Sequence, residues 1–286
     1  MRTEQQMMSL ILDTAKQDER IRGVMLNGSR ANPNVPRDVF QDYDIVYFVE
    51  ETDSFGADPG WIDRFGERLI LQMPDENEMY PAEPTERIVY LMQFMDGNRI
   101  DLTLIPVALR QQLLKPDSLS VLLLDKDDTL GPFPAASDSS YHIQRPTEKL
   151  FQGSCNEFWW ISLNIAKGLW REELPYVMVM YEQINRNVLI QMLEWKIAMR
   201  FGFTMSAGKC GKYMQSYLTA AEWKAYTATY SDASYAHIWD ALFAMCELFR
   251  AAAREVADHL HFAYNRAEER NVLAYLKEAR SRPRQG

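Results

Sequence analysis

Two aspartates, Asp42 and Asp44, stand one residue apart at the head of a very apolar run, DYDIVYFV. In a β-strand residues i and i+2 point to the same side with Cα atoms roughly 6–7 Å apart, so both carboxylates project together while Tyr43 turns away. Carboxylates at that spacing can grip one hard divalent cation, and magnesium takes oxygen ligands of this kind. Without a cation the pair repels itself and one pKa rises. Thirteen positions before Asp42, Gly28 and Ser29 make a short turn after the apolar stretch IRGVMLN. Such a turn frees backbone N–H groups and a hydroxyl to face a phosphate. A third carboxylate, Asp101 in GNRIDLTLIP, interrupts another apolar run. An ionised aspartate there is costly to bury unless it is paired or lies near a metal. Each feature alone has a plainer reading: a solvated strand end, an ordinary turn, an edge position facing water. If Asp101 comes near the other two, the three form an acidic cluster around a metal-bound triphosphate.

The elements that would position these residues follow from periodicity. Met7, Leu10, Ile11 and Thr14 fall on one face of an opening helix, with Thr3 and Gln6 as its capping box. Residues 21–27 and 42–49 read as strands, the second buried on both faces because it is continuously apolar and rich in β-branched and aromatic residues. Asn32, Pro33, Asn34 and Pro36 make 31–41 a loop. A helix is expected over 61–72. RIVYLMQFM (87–95) and RIDLTLI (99–105) flank Asp96-Gly97-Asn98, a hairpin signal. SVLLLD (120–125) is the last strand expected. After Pro146 strand signals give way to long amphipathic stretches, such as Ile238, Leu242, Met245, Phe249, Ala252 and Val256 at helical spacing. The fold class expected is therefore α+β: a mixed β-sheet domain over 1–146, then an all-α helical bundle over 147–286.

Bulk properties narrow the function classes. The 286 residues are 47% apolar and 25% charged, as in a soluble globular protein, and two domains are the natural count. No apolar run is long enough to span a membrane, and the N-terminus lacks the apolar core of a signal peptide. Cys155, Cys210 and Cys246 are widely spaced, which argues against a disulfide framework and a zinc site and fits a reducing cytoplasm. The four histidines are scattered. With a net charge of −9 and no basic stripe, the chain is not expected to hold nucleic acid. Acidity suits a cationic small molecule, and it equally serves solubility.

The Gly-Ser turn, the Asp-x-Asp strand and the later strand carboxylate resemble the signature of the nucleotidyltransferase superfamily. MLNGSRAN, QDYDIVYFV and DGNRIDLTLIP are similar to the corresponding stretches of the aminoglycoside 6-adenylyltransferases, the streptomycin-modifying enzymes. So are CNEFWW (155–160), IAKGLWREEL (165–174), NVLIQMLEWKIAMRFGF (187–203) and YAHIWDALFAMCELFR (235–250), so the resemblance reaches both halves. It implies a nucleotidyltransferase-type catalytic domain, a helical domain binding substrate or nucleotide, and an active site in the cleft between them. It also implies transfer of AMP from ATP to a drug hydroxyl, with release of pyrophosphate.

On that resemblance Asp42 and Asp44 hold Mg²⁺, and Gly28, Ser29 and Arg30 seat the phosphates of ATP. Asp101 is then either the general base or a third metal ligand. Lys212, taken to lie within a helix, is the first choice for a cationic arm on the triphosphate. Streptomycin carries two guanidinium groups, so acids and aromatic surface should receive it. Candidates are Glu83, Glu86, Glu157, Trp160 and Glu182. The partners expected are ATP and a cationic aminoglycoside, with no nucleic acid or membrane; monomer and homodimer fit equally. The rival readings are a nucleotidyltransferase acting on another small molecule or protein, and a non-catalytic binding member of the fold.

Overall fold

The computed structural model describes residues 1–79, 86–113 and 117–283. They fall into two compact units, one ending at Ser140 and the other beginning at Tyr141, six residues before the change of composition at Pro146. The first unit opens with helix α1 (Glu4–Gln17), whose N-terminus Thr3 and Gln6 close as a reciprocal capping box. Six strands follow: β1 (Ile21–Asn27), β2 (Tyr43–Val49), β3 (Arg68–Gln72), β4 (Ile88–Phe94), β5 (Arg99–Pro106) and β6 (Ser120–Asp125). They form one mixed sheet in the order β3-β4-β5-β2-β1-β6, in which only β2 and β5 run parallel. Two single helical turns, α2 (Asp53–Gly56) and α3 (Arg110–Leu113), follow β2 and β5.

Strand β2 carries the architecture. Tyr43, Ile45, Tyr47 and Val49 point into the larger core cluster with Met7 and Ile11 of α1, and the Tyr47 hydroxyl donates to the Ile11 carbonyl at 2.6 Å. Val46 and Phe48 point the other way and pack with Met25 and Ile105. Burial on both faces explains the unbroken apolar run. By the same alternation Asp44 shares the Val46 face, away from α1. The β4–β5 hairpin forms as its turn residues require, with Gln93 opposite Arg99 and Gly97 at φ +85°.

One element departs from the sequence reading. The helix expected over 61–72 is a 3₁₀ segment, Pro59–Phe65, followed by β3. Trp61, Ile62 and Phe65 do share a buried helical face. Gly66, at φ +117°, then ends the helix, and Arg68 to Gln72 pair with β4 instead. Tertiary pairing overrode a helical pattern too short to stand alone.

The regular elements of the second unit's described residues are all helical: α4 (Glu148–Arg171), α5 (Leu174–Met178), a π-helical stretch Val179–Asn185, α6 (Arg186–Met199), α7 (Met214–Tyr217), α8 (Ala220–Thr227), α9 (Tyr235–Leu260) and α10 (Arg266–Ser281). Thr147 caps α4 by accepting from the Leu150 amide. The periodic apolar face of α9 is buried, and Phe249 stacks on Phe158 of α4 with ring centres 3.7 Å apart. The α+β class therefore holds. Among the described residues no helix is long and apolar enough to cross a membrane.

Candidate active site

Strand register brings the chemistry of the first unit together. Asn27, the last residue of β1, pairs with Asp44 on β2, and Asp44 pairs with Asp101 on β5. Neighbouring strands lie about 4.8 Å apart, so the Gly28-Ser29 turn and the two aspartates line one end of the central strands. Gly28 donates its amide to the Leu119 carbonyl at 3.1 Å, and φ there is +70°. A Cβ at this position would lie 2.2 Å from Asp44 Oδ2, so the turn touches the carboxylate directly. The Ser29 hydroxyl has no partner among the described residues.

Arg30 takes a different position from the one the sequence suggested. It is buried, donates to the backbone carbonyls of Asp42 at 3.1 Å and Gln41 at 2.8 Å, and pairs with Glu4 at 3.4 Å. Its guanidinium also lies 3.8 Å from the centre of the Tyr43 ring. The side chain thereby joins the turn to the start of β2 and leaves no face for a phosphate.

The electrostatics of the cluster are those of half-buried carboxylates with like charges beside them. Burial raises the Asp44 carboxyl to about 6, with Asp101 and Asp42 adding to the rise. Burial likewise raises Asp42, and Arg99 opposes it. Arg99 grips Asp101 at two points, Nε to Oδ1 at 2.7 Å and Nη2 to Oδ2 at 2.9 Å, while its Nε lies 3.7 Å from Asp42 Oδ2. Asp44 has no hydrogen-bond or ion-pair partner among the described residues. Those residues contain no preformed metal cage of histidine, cysteine and carboxylate groups. The cluster nonetheless fits magnesium by its chemistry: its donors are all hard carboxylate oxygens, and a cation would favour the charged form that burial and the neighbouring aspartates disfavour at Asp44. Arg99 is the site residue that sequence reading missed. The signal was present, because Arg99 and Asp101 are two apart on one strand face.

The other candidates are placed as follows within their own units. Glu86 flanks a cavity of about 770 Å³ with Glu50, Glu51 and Arg87. Leu91 is the β4 partner of Asp101, so Glu86 lies five residues along, on the order of 16 Å away. Glu83 falls outside the described residues. In the second unit Glu157 and Trp160 are exposed one turn apart on α4. Glu182, in the π-helical stretch, is held by the buried guanidinium of Arg186, which also donates to Thr229. Lys212 is exposed and lies between a 3₁₀ turn, Lys209–Gly211, and α7 rather than within a helix. Its Nζ is 5.0 Å from the centre of the Tyr213 ring.

Comparison with known proteins adds the decisive observation. The family described as streptomycin adenylyltransferase matches residues 1–279. The chain belongs to the streptomycin adenylyltransferase family. Two aminoglycoside 6-adenylyltransferases are similar: one from Campylobacter jejuni is 42% identical over 94% of this chain and 93% of that one. The other, from Bacillus subtilis (strain 168), is 41% identical over 92% and 93%. A crystal structure of an aminoglycoside 6-adenyltransferase from Bacillus subtilis is similar over 99% of this chain and 100% of that one, at 35% identity and a TM-score of 0.49. This streptomycin adenylyltransferase family member is an enzyme of the nucleotidyltransferase class, and the family implies ATP as co-substrate.

Proposed function

We propose that this enzyme transfers AMP from Mg-ATP to a hydroxyl of streptomycin, releases pyrophosphate, and acts in the cytoplasm to confer resistance. The observation that carries the reading is the register Asn27–Asp44–Asp101 across three adjacent strands, with Gly28 in contact with Asp44. Asp42 and Asp44 are the residues that would hold Mg²⁺. Bound there, the ion offsets negative charge on the phosphates and favours departure of pyrophosphate. The free Ser29 hydroxyl and the adjacent turn seat the phosphates, and Gly28 permits their close approach. Asp101 accepts the proton of the attacking drug hydroxyl. The new bond joins that oxygen to the α-phosphorus, and the α–β bridging oxygen leaves with pyrophosphate.

The helical unit would supply the drug-binding surface, with Glu157, Trp160 and Glu182 as candidates and Lys212 as a cationic arm for the triphosphate. The net charge of −9 supports a cationic substrate. The test is pyrophosphate release from Mg-ATP with streptomycin, spectinomycin, kanamycin and lincomycin offered separately. Release with streptomycin alone is expected, and release with another drug alone would replace the substrate. Asp42→Asn and Asp44→Asn should each abolish transfer in a folded protein; wild-type turnover in either would remove the metal assignment. Asp101→Asn should retain a residue of activity, because a general base contributes roughly 10²–10⁴-fold.

A further inference from the structure

Arg99 is the charged group of the cluster to which the reaction above gives no task. Its side chain is 39% exposed, so it is not locked in the core. Its two-point contact takes both oxygens of Asp101, and the same Nε reaches toward Asp42. Asp42 is one of the two acids that would hold magnesium, and Asp101 lies beside the other, Asp44, in the strand register. A carboxylate oxygen can bond more than one donor, but a guanidinium and a divalent cation at one acidic cluster repel each other and compete for its negative charge. Arginine suits the temporary role, since its planar fork matches a carboxylate and its charge is permanent.

We propose that Arg99 is a place-holding cation, neutralising the acidic cluster in the metal-free enzyme and releasing Asp101 and Asp42 when magnesium arrives. The inference rests on reading Asp42 and Asp44 as a magnesium site with the base Asp101 beside it. Two consequences follow from competition between the two cations. Removing Arg99 tightens metal binding, and binding metal frees the Arg99 side chain. Neither holds for an arginine that merely braces β5.

The test uses the full chain as wild type, Arg99→Met and Arg99→Lys. Mn²⁺ binding is counted by electron paramagnetic resonance, without nucleotide and with a non-hydrolysable ATP analogue. Without nucleotide, Arg99→Met should bind Mn²⁺ about fivefold more tightly than wild type, with Arg99→Lys between them. In wild-type protein labelled with ¹⁵N-arginine, the Arg99 Nε–H resonance is assigned by its absence from Arg99→Lys. It should shift to the position of a free guanidinium as Mg²⁺ saturates the site. A resonance unmoved at saturation, or equal Mn²⁺ affinity in all three proteins, would overturn the place-holding role and leave the metal site standing. Absence of Mn²⁺ binding in every protein, with and without the analogue, would overturn the metal site and this inference together. Arg99→Met supplies the same assignment, so the wild-type resonance decides the matter even if one of the two variants folds poorly.

Discussion

A methyl group placed on Gly28 would lie 2.2 Å from Asp44 Oδ2, and the φ of +70° there already disfavours any side chain. The first cost falls on the carboxylate cluster and the second on the turn that touches it. Gly28→Ala should therefore lose about 1–3 kcal/mol of stability and nearly all transfer, read by urea denaturation and pyrophosphate release. Full activity in a stable variant would contradict the contact. Arg30 separates a bracing role from a phosphate role in the same way. It donates to two backbone carbonyls and lies on Tyr43, so Arg30→Met should cost about 2–3 kcal/mol with no nucleotide present. Arg30→Lys should not restore it, since one ammonium cannot reproduce the fork. A residue that served only ATP would lose nothing in the absence of ATP.

Elements differ in how much of their placement is written in their own residues. β2 was legible because burial on both faces forces a continuous apolar run, and the carboxylates at its head stand out against it. The β4–β5 hairpin was legible through Gly97, whose positive φ the turn requires. β3 was not, because its pairing with β4 is non-local and its residues copied a helical spacing. The role of Arg30 was also hidden, since its carbonyl partners eleven and twelve residues on carry no side-chain signal. The helical unit has a comparable junction at Glu222, which caps α8 through Thr219 and pairs with Lys196 and Arg200 of α6 and its end at 2.7 and 2.8 Å. Burial alone would raise its carboxyl, but Lys196, Thr219 and Arg200 together draw it down to about 2. A lowered folded-state pKa gives stability that is present above the unfolded value and lost as pH falls through the folded one. Glu222→Gln should thus destabilise the enzyme by about 2–3 kcal/mol at pH 7. The deficit should shrink between about pH 4.5 and pH 2 in thermal melts; a deficit independent of pH would mean lost packing rather than lost charge.

At the scale of the whole chain, the apolar cores respect the division into two units. The clusters of the first unit draw on residues from Met7 to Phe133, and that of the second on residues from Ile143 to Ala279. Each unit is thus large enough to fold on its own core. The chemistry divides as well. The turn and the three carboxylates belong to the first unit, while Lys212, Glu157, Trp160 and Glu182 belong to the second. Residues 1–140 expressed alone should therefore melt cooperatively and still bind Mn²⁺ through Asp42 and Asp44, yet release no pyrophosphate with ATP and streptomycin. The measurements are circular dichroism on heating, Mn²⁺ resonance and the pyrophosphate assay. A fragment without a cooperative melt would show that its core depends on the helical unit. A fragment that turned over streptomycin would show that the helical residues are not needed for the reaction, and would move the drug site onto the sheet.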